Sequence, residues 1–337
     1  MRAFFLCLTA LLVACQPAPA PEHTPPATPE RVVPEPQYQL TREQTHNKFS
    51  SAIPPVLTVP SGAVIEAYTE EASDGQFSLN STVEDVLTLD FEPIHPLTGP
   101  VYVEGAEPGD MIAVTLHEIE IGEFGWTAVV PGFGFLAEDF SDAALKTFTF
   151  ETDAHGHPTA RFNDDIVLPL NPFPGVMGVA PATTEMLSTI PPRANGGNMD
   201  DPNMVEGTTV YFPVFVEGAL FSIGDTHAAQ GAGEVCGTAI EAPMRIVYEI
   251  ELIKGRSIPE PQYENDTHYA VTAFAPDLDE AARKANRYMI DYIEAEHGLS
   301  RTDAYMLTSL AADLKIAEVV DVPNMLVTMH LPKAIFE

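Results

Sequence analysis

Short runs of alternating apolar and polar residues dominate the chain as far as about residue 255. Alternation over about four to eight residues is typical of a β-strand with one buried face. Strands are predicted at residues 56–59, 63–68, 101–103, 111–121, 210–216 and 244–253, and turns rich in Gly, Pro and Asp-Gly separate them. Many short strands with such connections favour a sandwich or jelly roll over a βαβ fold.

The end of the chain follows a helical pattern instead. Apolar residues recur at helical spacing from Leu278 to Ile293, and Gly298 is placed to end this helix. Ser300 is placed to cap a second helix, with Asp303 where a capping box has Glu. The predicted apolar side of that helix is formed by Tyr305, Leu307, Leu310, Ala311 and Leu314. The sequence therefore predicts a mainly β, sandwich-like or jelly-roll-like body with an α+β C-terminal portion.

Residues 1–14 have the features of an export signal. Arg2 precedes an apolar run from Ala3 to Ala14, which is too short to span a bilayer and ends directly before Cys15. A small residue before a cysteine at this distance resembles a bacterial lipoprotein processing site, with Cys15 as the lipidated first residue of the mature chain. The alternative is an ordinary signal peptide that happens to contain a cysteine.

Residues 15–40 are predicted to form an extended tether after the lipidated cysteine. Eight prolines lie between Pro17 and Pro36 among few large apolar side chains, so the segment cannot bury a core. Gln16 is not the aspartate that resembles an inner-membrane retention signal in Gram-negative lipoproteins. We therefore expect an exported protein, anchored by lipid at the periplasmic face of the outer membrane and contacting the membrane only through that anchor.

Composition bounds the remainder of the chain. About 300 residues follow the tether, and 45% of the chain is hydrophobic, which is enough to bury a full core. The formal net charge of −33 repels nucleic acid and anionic lipid surfaces, so we exclude both as partners. With Cys7 removed and Cys15 acylated, Cys236 remains as a free thiol, which we expect to be buried, and no intrachain disulfide can form.

Candidate chemistry concentrates in residues 224–241, which read GDTHAAQGAGEVCGTAIE. Asp225 and His227 are two residues apart, so in an extended segment their side chains leave the same face and can share one ion. Asn198 and Asp200 have the same spacing, and the glycines at 231 and 233 permit a turn that brings Glu234 near. Such oxygen and imidazole donors suit zinc or a similar divalent cation. Taken alone, an Asp-x-His pair is more often a turn or surface pair.

Four segments in order resemble motifs of the acetamidase/formamidase family. They are residues 96–106 (PLTGPVYVEGA), 195–200 (NGGNMD), 224–241, and 300–321, where DAY at 303–305 and VVD at 319–321 are similar to the family's C-terminal helix. The similarity begins near residue 45. It implies one acetamidase/formamidase-like domain over residues 41–337. It also implies metal-dependent hydrolysis of a small non-peptide carboxamide, such as acetamide or formamide, to a carboxylate and ammonia.

A ligand set for a divalent cation, with zinc expected, follows from the resemblance. Asp200 and His227 lie in the two most family-like motifs and are the first candidates, with Asp225 beside them. His46 is a further candidate ligand, because the family tends to begin its core with a histidine at this place. Such a cation would lower the pKa of water and polarise the amide carbonyl.

Catalytic roles are expected for three further side chains. Glu234 is the expected general base, Asn198 is expected to orient the carbonyl, and Glu241 is expected to act behind the ligands. Many family members have Asp where this chain has Ala232, so a carboxylate able to bind a second cation or tune the first is missing here.

Two alternatives stay open at this stage. One is a non-catalytic lipoprotein that binds a small molecule on an amidase scaffold, and the other is a hydrolase of another C–N bond, such as a lactam. The expected partners are a small amide and, because similar proteins are commonly oligomeric, further copies of the chain in a homo-oligomer.

Overall fold

Two nine-stranded sheets dominate the computed structural model, which describes residues 32–336. Residues from 33 onward form one compact unit. The expected signal peptide, Cys15 and the tether as far as residue 31 lie outside the described residues. Within residues 32–336, no helix is both long and apolar enough to cross a membrane.

The strands in chain order are β1 (Tyr38–Leu40), β2 (Thr45–His46), β3 (Lys48–Phe49), β4 (Leu57–Val59), β5 (Ala63–Tyr68), β6 (Leu97–Val103), β7 (Met111–Ile121), β8 (Gly125–Val129), β9 (Ala144–Phe148), β10 (Phe150–Thr152), β11 (Pro158–Arg161), β12 (Val167–Pro169), β13 (Phe173–Gly178), β14 (Leu187–Ser188), β15 (Gly196–Asn198), β16 (Thr209–Pro213), β17 (Ala219–Ala229), β18 (Ile240–Glu241), β19 (Met244–Ile253), β20 (Gln262–Glu264), β21 (His268–Ala275), β22 (Asp313–Glu318) and β23 (Met325–Pro332). The α-helices are α1 (Val83–Leu87), α2 (Leu278–His297) and α3 (Arg301–Ala311), and a 3-10 turn spans Lys333–Ile335.

The first large sheet has the order β1-β5-β19-β7-β16-β20-β21-β23-β22. Its centre is the long antiparallel pair of β7 and β19, in which Met244 lies opposite Ile121 and Ile253 lies opposite Met111. Both strands alternate apolar and polar residues and were predicted with these bounds, as was β5. Because of this alternation, the apolar side chains of the pair lie on one face, and that face points toward the core.

The second large sheet contains β15-β13-β17-β18-β8-β9, with β6 paired to β17 and with β2 and β4 paired to β6. Aromatic side chains join it to the first sheet, because Phe221 of β17 lies 5.6 Å, centroid to centroid, from both Phe212 of β16 and Tyr248 of β19. All three are fully buried in one core cluster to which both sheets contribute. The predicted mainly β sandwich is therefore confirmed.

Helix α2 supplies the predicted α+β portion. It begins at the Asp277 cap, whose side chain accepts from the backbone N–H of Glu280, and it ends at Gly298 in the left-handed conformation with φ 67°. Its apolar stripe, including Ala285, Met289 and Ile293, packs on β21 and β23. This helix and its glycine end confirm the sequence-based prediction.

The segment after Ser300 differs from the prediction. Ser300 does cap α3 by accepting from the N–H of Asp303, but the helix ends at Ala311, and residues 313–318 form strand β22 rather than a continuation of the helix. The residues that α3 buries are Ala304 and Thr308, whereas Tyr305 and Leu310 of the predicted apolar side are exposed. Leu307 and Ala311 of the predicted apolar side do pack against the core beside α2, so the prediction was wrong for Tyr305 and Leu310 and for Leu314, which lies on β22.

Candidate active site

Strand β17 carries the candidate chemistry through the middle of the second sheet. It pairs with β13 on one side and with β6 and β18 on the other, and its pairing with β18 shifts in register between His227 and Ala229. Asp225 and His227 are both buried, and their side chains meet, as their spacing predicted. The register shift is the kind of irregularity that re-aims side chains beside functional sites.

Three acidic residues near β17 have left-handed backbone conformations, with φ of 40° at Asp200, 49° at Asp225 and 44° at Glu234. Non-glycine residues adopt this region rarely and at a cost, which the surrounding structure must offset. All three side chains are buried and point into one group. Backbone strain is thus concentrated where the acidic side chains converge.

We call this group the central cluster. It consists of one imidazole and six carboxylates, none more than 7% exposed: Asp200, Asp225, His227, Glu234, Glu241, Glu318 and Asp321. Each of the three ligand groups that can be drawn within it has its potential ligand atoms within 4.8 Å of one another. They are Asp200 with Asp225 and His227, His227 with Glu234 and Glu241, and Asp200 with Glu234 and Asp321.

Gln230 fixes the orientation of the His227 ring. Its Nε2 donates to the backbone carbonyl of Asp200 at 2.6 Å, so its Oε1 is left to accept from Nδ1–H of His227 at 2.8 Å. The other ring nitrogen, Nε2, lies 3.1 Å from Oε2 of Glu241 and 3.4 Å from Oδ1 of Asp225. A histidine held in this way by its outer nitrogen presents the inner one as a ligand.

Glu241 therefore stands closer to the centre than the sequence indicated. Its Oε1 accepts from the backbone N–H of Ala239 at 2.8 Å, whereas its Oε2 faces His227. The structure places it beside Asp225 among the potential ligands, instead of behind them.

Glu318 and Asp321 reach the central cluster from the C-terminal segment, which a short parallel bridge between Gly233 and Glu318 joins to the loop after β17. Asp321 accepts from Nδ2 of Asn198 at 2.7 Å. Because Nδ2 of Asn198 is engaged in this bond, Oδ1 is left as its open atom, and that oxygen has no hydrogen-bond partner within residues 32–336. Asn198 is thus arranged to accept an N–H group more readily than to bind a carbonyl.

The charges of the central cluster perturb one another. Burial opposes the charged form of His227, but the carboxylates of Glu241 and Asp225 outweigh it and raise the pKa of the imidazole well above its ordinary value. Burial, together with the charge of Asp200, raises the pKa of Glu234 well above its usual range and does the same for Asp321. The site is therefore short of positive charge.

A divalent cation fits this shortage. Oδ1 of Asp200 and Oε2 of Glu241 are buried and have no hydrogen-bond partner in the described part of the chain. Buried carboxylate oxygens of this kind are costly unless a proton or a cation compensates them. The donor set of one imidazole nitrogen and several carboxylate oxygens is one that zinc and related divalent cations bind.

His46 is not brought into the central cluster. Its Nδ1 donates to the backbone carbonyl of Lys48 at 2.7 Å, and its Nε2 lies 2.8 Å from Oγ of Ser222. Burial lowers the pKa of this imidazole to about 4, so the ring is neutral. With both nitrogens engaged, His46 is placed as a half-buried structural histidine.

His95 is a second histidine beside the central cluster, and the sequence analysis did not single it out. Its Nε2 lies 3.8 Å from Oδ2 of Asp225, and the side chain lines the same pocket as His227. The signal for it was its position directly before the segment 96–106. Glu318 and Asp321 were missed as well, although Asp321 ends the VVD motif and both are acids in an apolar run.

Ala232 and Cys236 lie outside this chemistry, since both are exposed. The prediction of a buried Cys236 was wrong, because the loop after β17 turns outward there. Because Ala232 is exposed, the absence of an acid at position 232 leaves the six carboxylates of the central cluster in place.

A cavity of about 40 Å³ opens onto the central cluster. By this measure one water needs about 10 to 15 Å³, so the space suits a molecule of a few heavy atoms. Its floor is polar, with Asn198, Asp200, Asp225, His227, Glu234, Glu241 and Asp321. Its wall is apolar, with Leu89, Phe91, Ile94, Trp126, Val130, Phe133 and Ile190. We call this space the active-site pocket.

Comparison with known proteins identifies the family. The model of the Acetamidase/Formamidase family matches residues 33–188 and 182–337. An acetamidase of Mycolicibacterium smegmatis is 35% identical over 270 residues, which cover 62% of this chain and 66% of that protein. A crystal structure of an acetamidase from Bacillus halodurans superposes with a TM-score of 0.83 at 32% identity, covering 88% of this chain and 98% of that one. A gamma lactamase from Delftia acidovorans superposes with a TM-score of 0.63 at 27% identity, covering 89% and 93%. The chain therefore belongs to the acetamidase/formamidase family of amidohydrolases.

Proposed function

We propose that this chain hydrolyses a small carboxamide to a carboxylate and ammonia with the help of a divalent cation. The observation that carries the proposal is the central cluster, whose buried oxygens without partners form the floor of a small pocket with an apolar wall. Such a pocket suits a substrate with a polar amide at one end and a short apolar acyl group at the other. The relatives named acetamidase support the same substrate class.

The cation would be held by His227 together with Asp225 and Glu241, with Asp200 beside them. We propose zinc, because an imidazole nitrogen with carboxylate oxygens is a common zinc ligand set. When bound, the cation supplies Lewis acidity, which polarises the amide carbonyl and makes water more acidic. Gln230 holds the imidazole in the orientation that this binding needs.

Glu234 is the proposed general base. Burial and the charge of Asp200 raise the pKa of Glu234 well above its usual range, so this carboxylate binds a proton more readily than an exposed one, as a general base must. It removes a proton from the attacking water as the C–O bond forms. It then gives that proton to the amide nitrogen as the C–N bond breaks, so ammonia leaves and the carboxylate remains.

The substrate would be oriented by the two ends of the active-site pocket. Oδ1 of Asn198 is placed to accept an N–H of the amide, because its own Nδ2 is held by Asp321. Trp126 and Phe133 in the wall contact the acyl group. Amides with a long or charged acyl group should therefore bind poorly.

Lactam hydrolysis is the second candidate, because the gamma lactamase shares the fold over 89% of this chain. The two reactions differ in their products, since a linear primary amide releases ammonia and a lactam opens to an amino acid. Ammonia release and ring opening, measured on formamide, acetamide, propionamide and a γ-lactam before and after chelation, decide between them. Linear-amide turnover lost on chelation and restored by zinc supports the proposal. Ring opening alone favours the lactamase, and no turnover of either kind favours the non-catalytic binding protein.

We also propose that the protein is exported, anchored by lipid on Cys15 at the periplasmic face of the outer membrane, and assembled into a homo-oligomer. The location rests on the ordered signal elements before Cys15 and on the proline-rich residues that follow. The assembly is supported by exposed apolar side chains on α3 and β22, namely Tyr305, Met306, Leu310, Leu314 and Ile316. Light scattering of the purified protein gives the number of chains.

A further inference from the structure

A half-buried arginine without an acidic partner lies outside the central cluster. No carboxylate of residues 32–336 forms an ion pair with Arg193, although the sequence contains 49 acidic residues. Burial lowers the pKa of this guanidinium, and no neighbouring charge opposes that effect. An arginine stays protonated in a protein, so the cost of burying its charge calls for an anion or for hydrogen bonds.

Hydrogen bonds hold one end of this guanidinium and leave one edge open. Nη1 of Arg193 donates to the backbone carbonyls of Ser188 at 2.8 Å and Pro191 at 3.0 Å. Nε and Nη2 have no hydrogen-bond partner in the part of the chain that the structure describes. Two parallel N–H groups of one guanidinium are the arrangement that binds both oxygens of a carboxylate. Arg193 is therefore fixed in place with a carboxylate-binding edge free.

Arg193 lines a groove of about 420 Å³, which is far larger than the 40 Å³ of the active-site pocket. We call it the Arg193 groove, and its lining includes Pro181, Asn195, Phe215, Phe274 and Asn324. Arg193 is the single charged residue among those that line it. A groove with one cation and two aromatic rings suits an anion that also carries an apolar group.

Backbone and amide hydrogen bonds fix the shape of the Arg193 groove. Arg193 and Gly196 exchange their backbone N–H···O bonds at 2.9 and 3.0 Å, which closes a tight turn directly before β15. The side chains of Asn195 and Asn324 each donate to a backbone carbonyl of a neighbouring segment at 2.8 Å. A ligand therefore meets a groove that is already formed, which lowers the entropic cost of binding.

We propose that the Arg193 groove binds a small organic anion in which a carboxylate is joined to an aromatic group. Nε and Nη2 of Arg193 hold the carboxylate, and the rings of Phe215 and Phe274 contact the aromatic group. A small ligand fits better than a partner chain, because both rings are half-buried in a recess, whereas a run of exposed apolar side chains lies on α3 and β22. The inference is independent of the proposed function, since no residue of the central cluster lines this groove.

Isothermal titration calorimetry with three probes on the wild type tests the inference. Phenylacetate should bind at about one equivalent per chain. The neutral 2-phenylethanol lacks the carboxylate and acetate lacks the ring, so each should bind about tenfold more weakly or worse.

Four variants locate the site. Arg193→Gln should weaken phenylacetate binding about tenfold or more, because it removes the charged donors of the carboxylate. Arg161→Gln removes an exposed arginine of β11 and should keep the wild-type affinity. Phe215→Ala should weaken the binding of phenylacetate and leave that of acetate unchanged. His227→Ala should bind phenylacetate like the wild type, because the cation at His227 takes no part.

Several outcomes would overturn the inference and leave the proposed function standing. Phenylacetate that binds no better than 2-phenylethanol would exclude the carboxylate contact. Wild-type affinity in Arg193→Gln would place the ligand elsewhere, and loss of binding in His227→Ala would place it in the active-site pocket. A wild type that binds no phenylacetate, with fewer chains per particle in light scattering of Arg193→Gln, would assign the groove to a second copy of the chain. The comparison of the three probes on the wild type keeps the test valid if a variant does not fold.

Discussion

The carboxylate of Glu71 accepts a hydrogen bond from the indole Nε1–H of Trp126 at 2.6 Å, and Trp126 forms part of the wall of the active-site pocket. Three further donors reach the same carboxylate, from the backbone and hydroxyl of Ser73 and from the backbone of Gly75. Phe77 packs against the indole at 4.4 Å between ring centroids. Glu71 thus holds the indole in the wall without contacting the substrate space.

Trp126 is the chain's single tryptophan, so its fluorescence reports on Glu71 directly. Burial raises the pKa of Glu71 from 4.5 to about 7, against the hydrogen bonds that favour its charged form. The emission should therefore titrate with a midpoint near pH 7. Because the folded-state pKa is the higher one, the stability that this carboxyl contributes is full below pH 4.5 and is lost as the pH rises through about 7.

Glu71→Gln should abolish that titration and destabilise the fold by about 1 to 3 kcal/mol, because the amide N–H₂ group then faces hydrogen-bond donors. Glu123→Gln changes an exposed acid three residues from Trp126 and should keep the midpoint. If the fluorescence of Glu71→Gln still titrated as in the wild type, the titrating group would not be Glu71.

Gly175 on β13 provides the space in which Asp200 and His227 meet. A Cβ added there would lie 2.3 Å from Oδ1 of Asp200 and 2.8 Å from Cε1 of His227. Gly175→Ala should therefore displace both side chains and lower zinc occupancy and turnover together, with a loss of stability of about 1 to 3 kcal/mol. Gly231→Ala adds a methyl group where nothing lies within 4 Å and should retain all three properties. Full zinc occupancy in Gly175→Ala would remove Asp200 or His227 from the ligand set.

Glu234→Gln tests the proposed base. The substitution nearly preserves the size of the side chain, so the fold and the cation at His227 should be retained while turnover falls by about 10² to 10⁴. Ammonia release and zinc content are measured on one preparation. Loss of that zinc together with activity would make Glu234 a ligand of the cation at His227, and wild-type turnover would exclude it from the reaction.

The location is tested by Cys15→Ala. If Cys15 carries the lipid, this variant should leave the membrane fraction or remain unprocessed, because Cys15 is the cysteine at the predicted processing site and Cys7 lies within the apolar run that is removed. Fractionation followed by mass measurement of the mature chain gives the answer. Normal maturation with unchanged membrane association would exclude the lipoprotein.

Local patterns were sufficient for much of the fold. Strands β5, β7 and β19 were predicted with their observed bounds because their alternation is a property of the segment itself. The same holds for α2, whose end at Gly298 was predicted from the glycine itself. The pattern after Ser300 was ambiguous, because a short helix and an edge strand can have similar patterns of apolar residues. Only the tertiary packing decides where α3 ends and β22 begins.

The site was predictable where its residues are close in sequence and hidden where they are not. Asp225 and His227 meet because they are two residues apart on one strand. Asp321 comes to Asp200 through the return of the chain after β22, which no local pattern encodes. His95 was not predicted for a similar reason. His46 was predicted as a ligand, but the backbone carbonyl of Lys48 and the hydroxyl of Ser222 engage its two nitrogens, and a sequence motif does not reveal such contacts.

Under the proposed function, a divalent cation on His227 is required for amide hydrolysis, and His227→Ala compared with the wild type tests this requirement. We measure bound zinc and ammonia release from acetamide in both proteins, with the exposed His155→Ala as the matched control. We expect zinc and turnover in the wild type and in His155→Ala, and the loss of both in a folded His227→Ala. Full turnover by metal-free wild type, or by His227→Ala without zinc, would contradict this requirement.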